Sequence, residues 1–311
     1  MRVSVIVPVY NAANLIGGCI RALEQQTVDE VEIVVVDDGS TDGTPEVVRK
    51  FPNVVLVEQP VNAGPAAARN AGLKVARAPV IAFTDADCEP APDWLEKGCA
   101  RLDADPDLAG VEGRTEPKGT PGTLTHQMRN VSGGLWMTCN MIYRRDALER
   151  AGGFDERFRL AFLEDSDVAF TVQENGGKIA WAPDAVVYHL VLDEGRAKFA
   201  REARKRMYNP LLFSKHEALY REHIATVVPA LPPIHLRYMA SVLAIVAFAA
   251  AGLWGGVVFA ALVTAFYLRR VLHAYRARDL VSILQAAAHP FVQTYWVLRG
   301  ALKFRTFSFK M

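Results

Sequence analysis

The 311-residue chain is 51% hydrophobic, carries four cysteines and sets 35 Lys and Arg against 34 Asp and Glu. That composition excludes a disordered chain, a collagen-like fibre and a disulfide-stapled miniprotein. Cys19, Cys88, Cys99 and Cys139 form no C-x-x-C pair, so a zinc ribbon and a thioredoxin motif are excluded too. The charge is unevenly divided. Residues 1–190 hold 18 basic and 28 acidic side chains (−10), whereas residues 191–311 hold 17 basic and 6 acidic (+11).

The chain opens on Val3-Ser-Val-Ile-Val-Pro-Val-Tyr10 with no charged n-region or cleavage site ahead of it, so no secretory signal is expected. The first part should then stay on the cytoplasmic side, with reduced thiols. Strand-like runs at 3–9, 32–36, 54–57 and 80–83 alternate with helical stretches at 15–25 and after Thr44-Pro45. Near-continuous apolar strands separated by helices predict an α/β fold with a mostly parallel sheet covered on both faces. Pro45 and Pro65 mark helix starts, and Asn175-Gly176-Gly177 marks the end of a helix over 164–174.

Beyond residue 190 the pattern changes. Residues 191–233 carry Arg196, Lys198, Arg201, Arg204, Lys205 and Arg206, interleaved with Phe199, Ala203 and Met207, which predicts a basic amphipathic helix, at a membrane surface by preference or else packed on the domain with its charged face in water. Residues 234–311 are expected to be membrane-associated. Met239 to Leu268 contains no charge, and the preferred arrangement is a helical hairpin over 234–273 turning near Gly252-Leu-Trp-Gly-Gly256, with Arg237 and Arg269 on the same side. A single tilted span and a re-entrant pair are the alternatives. A third helix over 280–302 should bend at Pro290 and carry a polar stripe of Ser282, Gln285, His289 and Gln293, facing either a groove or its neighbours.

Acidic clusters carry the chemistry: Asp37-Asp38, then Asp85 and Asp87, each after an apolar strand, and Glu164-Asp165 with Asp167 at a helix start. Strand carboxyl ends open onto the ligand crevice of a parallel sheet, so the first two clusters should meet there. Carboxylates brought together repel unless a cation sits among them, and a divalent metal is the economical one. Each cluster also has an ordinary explanation, as a turn, a cap or a partner for a helix dipole.

Taken together, the blocks Val3–Asn11, Glu32–Asp42, Asn62–Asn70, Thr84-Asp-Ala-Asp87, Asn140–Arg145, Gly152–Glu156 and Glu164-Asp165 resemble, in order, the family 2 glycosyltransferases of GT-A fold. The resemblance implies a GT-A catalytic domain over 1–190 that moves a sugar from a nucleotide-diphosphate donor to an acceptor. It implies that Pro8, Tyr10, Asn11, Asp37, Asp38, Arg69 and Asp85 hold the donor. Asp87, with His189, would hold Mn2+ or Mg2+, Asp165 would be the catalytic base, and Glu164 and Asn140 would support the site. The Q-x-x-R-W element of processive members is absent, Arg201-Glu-Ala-Arg-Lys-Arg206 standing in that region, so one sugar per encounter is expected.

A hard cation stabilises a departing nucleoside diphosphate, and a carboxylate on the opposite face of the sugar takes the acceptor's proton, which inverts the anomeric centre. A helix N-terminus should keep Asp165 ionised, with Glu164 or Asp167 opposing by repulsion. The +11 tail favours anionic headgroups and a lipid-linked acceptor; no nucleic-acid partner is expected. Neither G-x-G-x-x-G nor a P-loop is present, which disfavours a dinucleotide oxidoreductase and a P-loop enzyme. A nucleotidyltransferase of related architecture, or a membrane-anchored sugar-nucleotide-binding scaffold, is the competing reading.

Overall fold

The computed structural model describes residues 2–120, 125–193, 195, 197–225, 232–274 and 280–306. The chain divides into two compact units, Met1–Pro121 with His126–Leu192, and Gly122–Thr125 with Asp193–Met311.

The first unit is built on a mixed eight-stranded sheet. Its strands are β1 (Val3–Val9), β2 (Val31–Asp37), β3 (Val54–Glu58), β4 (Val80–Phe83), β5 (Cys88–Pro90), β6 (Leu108–Lys118), β7 (Met141–Arg144) and β8 (Lys178–Leu190). They lie in the order β3-β2-β1-β4-β7-β6-β8-β5. The run from β3 to β4 is parallel, β7 is antiparallel to both neighbours, β6 and β8 are parallel, and β5 is antiparallel to β8. Val5, Ile6, Val7, Val34, Val35 and Val36 are fully buried, as strands covered on both faces require.

The helices are α1 (Ile16–Glu24), α2 (Thr44–Val48), α3 (Pro65–Val75), α4 (Trp94–Asp103), α5 (Arg145–Ala151) and α6 (Glu164–Glu174). In α1 the stripe Ile16, Cys19, Ile20 and Leu23 recurs at helical spacing and faces the core. Strand order reverses between β1 and β4, so the chain leaving these two strands opens the crevice in which α/β sheets hold ligands. Strands β6 and β7 are not evident from the sequence. Gly110, Glu112 and Gly113 interrupt the apolar run of β6, and β7 is only four residues long.

Asn140 binds three parts of this unit together. Its Nδ2 donates to the carbonyls of Arg114 (2.9 Å) and Ala185 (3.0 Å), and its Oδ1 accepts from Trp94 Nε1 (2.7 Å). Asn140 is 1% exposed, so those three bonds replace solvent for every group involved.

The second unit is helical: α7 (Lys198–Lys205), α8 (Asn209–Lys215), α9 (Glu217–Leu219) leading into a π-helical turn (Tyr220–Ile224), α10 (Pro233–Ala250), α11 (Trp254–Ala274) and α12 (Leu280–Lys303). In the amphipathic segment Ala203 and Met207 are buried, while Arg196 lies outside the described residues. The α10–α11 turn is tighter than expected. Gly252, at φ +69°, closes it, and Trp254, Gly255 and Gly256 already belong to α11. Taken whole, with the arginines near their ends included, both helices are long and apolar enough to cross a membrane by length and composition. Helix α12 runs through Pro290. Its polar stripe turns inward: His289 and Gln293 are buried, and the His289 ring lies 6.0 Å from that of His235. The side chain of Ser282 is outside the description.

Replacing Asn140 by Ala leaves a buried indole N–H and two buried carbonyls unsatisfied. We expect Asn140→Ala to destabilise the chain by about 3 kcal/mol in denaturant unfolding, more than a surface Asn→Ala change would.

Candidate active site

Two loops at the carboxyl edge of the sheet are stitched together by side chains. β1 pairs with β2 up to Val9 opposite Asp37, and Pro8 lies in that ladder opposite Val36. Asn11 adopts φ +50°, a left-handed position that Asn tolerates better than most residues. Its amide donates to Ser40 Oγ (2.8 Å) and its Oδ1 accepts from the Thr41 amide (2.8 Å). Asp42 continues the seam, accepting from the amides of Ala13 (3.0 Å) and Thr44 (3.1 Å). Tyr10 projects, 49% exposed.

Asp37 and Asp38 point to different tasks. Asp37 Oδ2 accepts from the Ser40 amide (3.0 Å), and its buried Oδ1 has no hydrogen-bond partner among the described residues. A buried carboxylate oxygen left unpaired is costly unless a ligand donates to it. Asp38 instead latches the start of α3: its two oxygens accept from Ala63 and Gly64, each at 2.8 Å. Burial raises the Asp38 carboxyl, the two amides oppose that shift, and Asp37 adds repulsion. Gly64 is at φ +98°, where an added Cβ would lie 2.6 Å from the Arg159 carbonyl, so only glycine fits there.

Helix α3 carries Arg69, 2% exposed, into the middle of the acidic residues. One terminal nitrogen donates to Asp85 Oδ1 and the other to Glu164 Oε1, both at 2.9 Å, and the guanidinium lies over the Phe154 ring at 5.6 Å. Burial works against its charge, but Asp85 and Glu164 more than restore it and hold the pKa above the ordinary value. Glu164 is fixed at its other oxygen by the Phe162 amide (2.6 Å). Between them Leu163 sits at φ +71°, a strained position for a leucine, directly before α6.

Asp165 is half-buried at this turn, and its Oδ1 accepts from the Ser166 amide (2.7 Å). The expectation of a low pKa at a helix N-terminus is overturned. Burial pushes the carboxyl up to about 8, Glu164 adds repulsion, and the Ser166 amide and Arg69 restrain the shift without cancelling it. Desolvation next to a second carboxylate outweighs the favourable effect of the helix dipole, which is commonly worth only about 0.3–1 kcal/mol.

On the other side of Asp85, Asp87 meets β8. The ring Nε2 of buried His189 is 3.6 Å from Asp87 Oδ1, and its Nδ1 is 3.0 Å from the Leu190 carbonyl. A carbonyl only accepts, so Nδ1 carries a proton and Nε2 is the ring atom that faces the carboxylate. Asp87, Cys88 and His189 offer ligand atoms all within 4.8 Å of one another. Burial raises the Asp87 carboxyl to about 6, His189 opposing and Asp85 adding to the shift. The buried Cys88 thiol is held protonated, its pKa raised well above the ordinary value, chiefly by burial. Asp87 and His189 thus offer a divalent cation one carboxylate and one imidazole.

Three residues of the site are assigned no role by the sequence. Asp42 ties two loops together, and in the sequence it is only the last residue of the block Glu32–Asp42. Glu112, 3% exposed, accepts from Asn130 Nδ2 (2.7 Å) and from the amides of Gly134 (2.6 Å), Leu135 (2.9 Å) and Trp136, so it shapes the 130–136 loop. A lone acid within the apolar run of β6 is the available clue. Tyr143, fully buried on β7, keeps a hydroxyl without a partner among the described residues, within the electrostatic reach of Glu112 and Asp165. It lies within the block Asn140–Arg145, where nothing singles out its hydroxyl.

Arg69 is the test of this arrangement. Arg69→Met leaves Glu164 buried and uncompensated, and we expect a loss of about 3–5 kcal/mol in denaturant unfolding. The double change Arg69→Met with Glu164→Met should recover most of that loss, because both charges are then gone.

Residues 4–162 match the sequence model described as glycosyl transferase family 2. The glycosyltransferase AglE of Haloferax volcanii is 32% identical over 205 residues, which cover 60% of this chain and 66% of that protein. The chain spans between 15% and 66% of the length of the first curated relatives it matches. Among solved structures, mannosyltransferase PcManGT from Pyrobaculum calidifontis, in complex with GDP-Man and Mn2+, superimposes with a TM-score of 0.61 at 22% identity. That match covers 98% of this chain and 87% of the other. S. aureus TarS 1–349 in complex with UDP-GlcNAc gives 0.56 at 20% identity, covering 95% and 92%. The fold is thus that of GT-A glycosyltransferase structures, and the chain belongs to glycosyl transferase family 2.

Proposed function

We propose that this chain is an inverting glycosyltransferase that moves one sugar from a nucleotide-diphosphate sugar to a lipid-linked acceptor at the cytoplasmic face of a membrane. The observation that carries the reading is the chain of contacts from Asp85 through Arg69 to Glu164, beside Asp165, whose carboxyl is pushed up, to about 8, by burial and by Glu164. Family membership, and solved relatives that hold GDP-Man with Mn2+ or UDP-GlcNAc, support a nucleotide-sugar donor.

In this reading Pro8, Tyr10 and Asn11 flank the nucleoside, and the unpaired Asp37 Oδ1 takes a donor hydroxyl. Asp38 works indirectly, by fixing the Ala63-Gly64 turn that launches α3. Arg69 holds Asp85 in place from behind, and Asp85 presents its other oxygen to the donor. Asp87 and His189 would hold a divalent cation, which, when bound, supplies positive charge to the departing diphosphate. Asp165 Oδ1 faces the Ser166 amide, so Oδ2 accepts the proton of the attacking hydroxyl. Attack from that side, opposite the leaving group, inverts the anomeric centre. Residues 1–190 form the catalytic domain, 191–233 the basic interfacial region and 234–311 the membrane helices. Anionic headgroups would attract the +11 tail and confine the enzyme to the plane in which a lipid-borne acceptor diffuses.

A base must be ionised to work, so a pKa of about 8 makes turnover rise with pH. We expect kcat/KM to climb about tenfold per pH unit below pH 8 and to level off above it. Asp165→Asn should lower turnover by about 100-fold or more while nucleotide-sugar binding, followed by calorimetry, persists. Full turnover in that variant would remove Asp165 from the chemistry. Asp87→Ala should abolish the Mn2+-dependent part of donor binding, and calorimetry showing that part intact would take Asp87 out of the ligand set.

A further inference from the structure

The α10–α11 hairpin has a definite depth. Its base is charged: Arg237 lies one turn into α10, and Arg269 and Arg270 lie in the last turns of α11. At 1.5 Å per residue, Ala250 at the tip is about 20 Å along α10 from Arg237, and Trp254 is about 22 Å along α11 from Arg269. A hydrocarbon core is about 30 Å thick. The apolar arms are therefore too short by about 8–10 Å to carry the turn to the far surface with the arginines left at the near one.

The turn suits a resting place in hydrocarbon. From Met239 to Leu268 there is no charged residue, and the described side chains from 232 to 274 include no acid. Leu243, Val246, Trp254, Phe259 and Leu262 are all more than 60% exposed, on both arms. Such a surface is far larger than a water-soluble helix pair leaves open. The hydroxyls of Ser241 and Thr264 are satisfied within the hairpin. Ser241 Oγ donates to the Tyr238 carbonyl (2.7 Å), and Thr264 Oγ1 is 2.8 Å from the Ala260 carbonyl and 3.0 Å from Ser241 Oγ. At the tip the amides of Ala251, Gly252 and Leu253 donate to Ala247, Ala249 and Phe248. Near the turn the arms approach closely: a Cβ on Gly256 would lie 2.7 Å from the Phe248 ring. Backbone donors paired inside the element are what a lipid environment demands.

We infer that the α10–α11 hairpin enters the bilayer from the cytoplasmic face and turns back inside it, with Gly252 and Leu253 ending in hydrocarbon instead of reaching the opposite surface. The occupant of the exposed apolar surface is lipid acyl chain, and Arg237, Arg269 and Arg270 stay among the headgroups of the leaflet of entry. This rests on the membrane reading above and adds depth and sidedness to it. The protein is then monotopic, and everything it binds comes from one side of the membrane.

The four native cysteines are buried, so cysteine labelling of the full-length folded protein has a low background. Leu253→Cys places a thiol at the tip and Arg270→Cys one at the base. Cells producing each variant are treated with a membrane-impermeant maleimide, either intact or after disruption. The expected result is no labelling of either variant in intact cells, and labelling of Arg270→Cys alone in disrupted-cell membranes, with Leu253→Cys reacting only after detergent denaturation. Labelling of Leu253→Cys in intact cells would show a hairpin that crosses, which overturns the inference and leaves the membrane reading standing. Labelling of Leu253→Cys in disrupted cells without detergent, with the protein in the soluble fraction, would overturn both. Labelling of Arg270→Cys in intact cells would overturn the side of entry.

Discussion

A single buried guanidinium is the constraint on which the catalytic unit depends. Glu164 is almost wholly removed from water, and Glu164 and Asp85 both repel the charge of Asp165. Without Arg69 these carboxylates would separate or take up protons. With it, a residue of α3, a residue of the loop after β4 and the first residue of α6 share one fixed geometry. The same helix is anchored at its start by Asp38, through the amides of Ala63 and Gly64. Asp38, Asp85 and Glu164 are thus mechanically connected, although they come from three separate stretches of the chain.

That connection explains why strain is tolerated where it is. Leu163 and Asn11 adopt left-handed backbone conformations at the edges of the crevice, and hydrogen bonds clamp both turns. Arg69 and the Phe162 amide grip Glu164 beside Leu163, while Ser40 and Thr41 bond Asn11 directly. The local cost is met by bonds that also aim functional side chains. The environment then separates the carboxylates by task. Asp85 is tied to a cation of the protein itself, Asp87 faces an imidazole, and Asp165 is left near a second acid with only partial compensation. The roles proposed for these chemically similar side chains, as donor support, metal ligand and base, rest on these differences in burial and charge.

Much of this is legible in the sequence, and the rest is hidden for physical reasons. The buried strands Val3–Val9 and Val31–Asp37 announce themselves by unbroken β-branched runs, and the start of α6 by its acids. The uncharged stretch from Met239 to Leu268 marks the hairpin, and its turn differs from expectation only in extent, because glycines at the start of α11 look like turn residues. Pairings across long sequence separation are not legible. Nothing near Arg69 says that its partner is Glu164, 95 residues away, or that it supports Asp85 from within the protein. The raised pKa of Asp165 is hidden for the same reason. A helix terminus is a local feature, whereas burial is a property of the whole fold. The antiparallel strand β7, inserted between β4 and β6, likewise depends on contacts that no short window of sequence contains.

The proposed chemistry is a direct displacement with Asp165 as base, and the anomeric configuration of the product reports on it most closely. Proton NMR of the glycoside formed by the full chain from an α-linked nucleotide sugar, with the released nucleotide assayed alongside, gives both halves of the answer. A β-linked product and one nucleoside diphosphate per sugar transferred are the expected result. An α-linked product, or release of pyrophosphate, would contradict it.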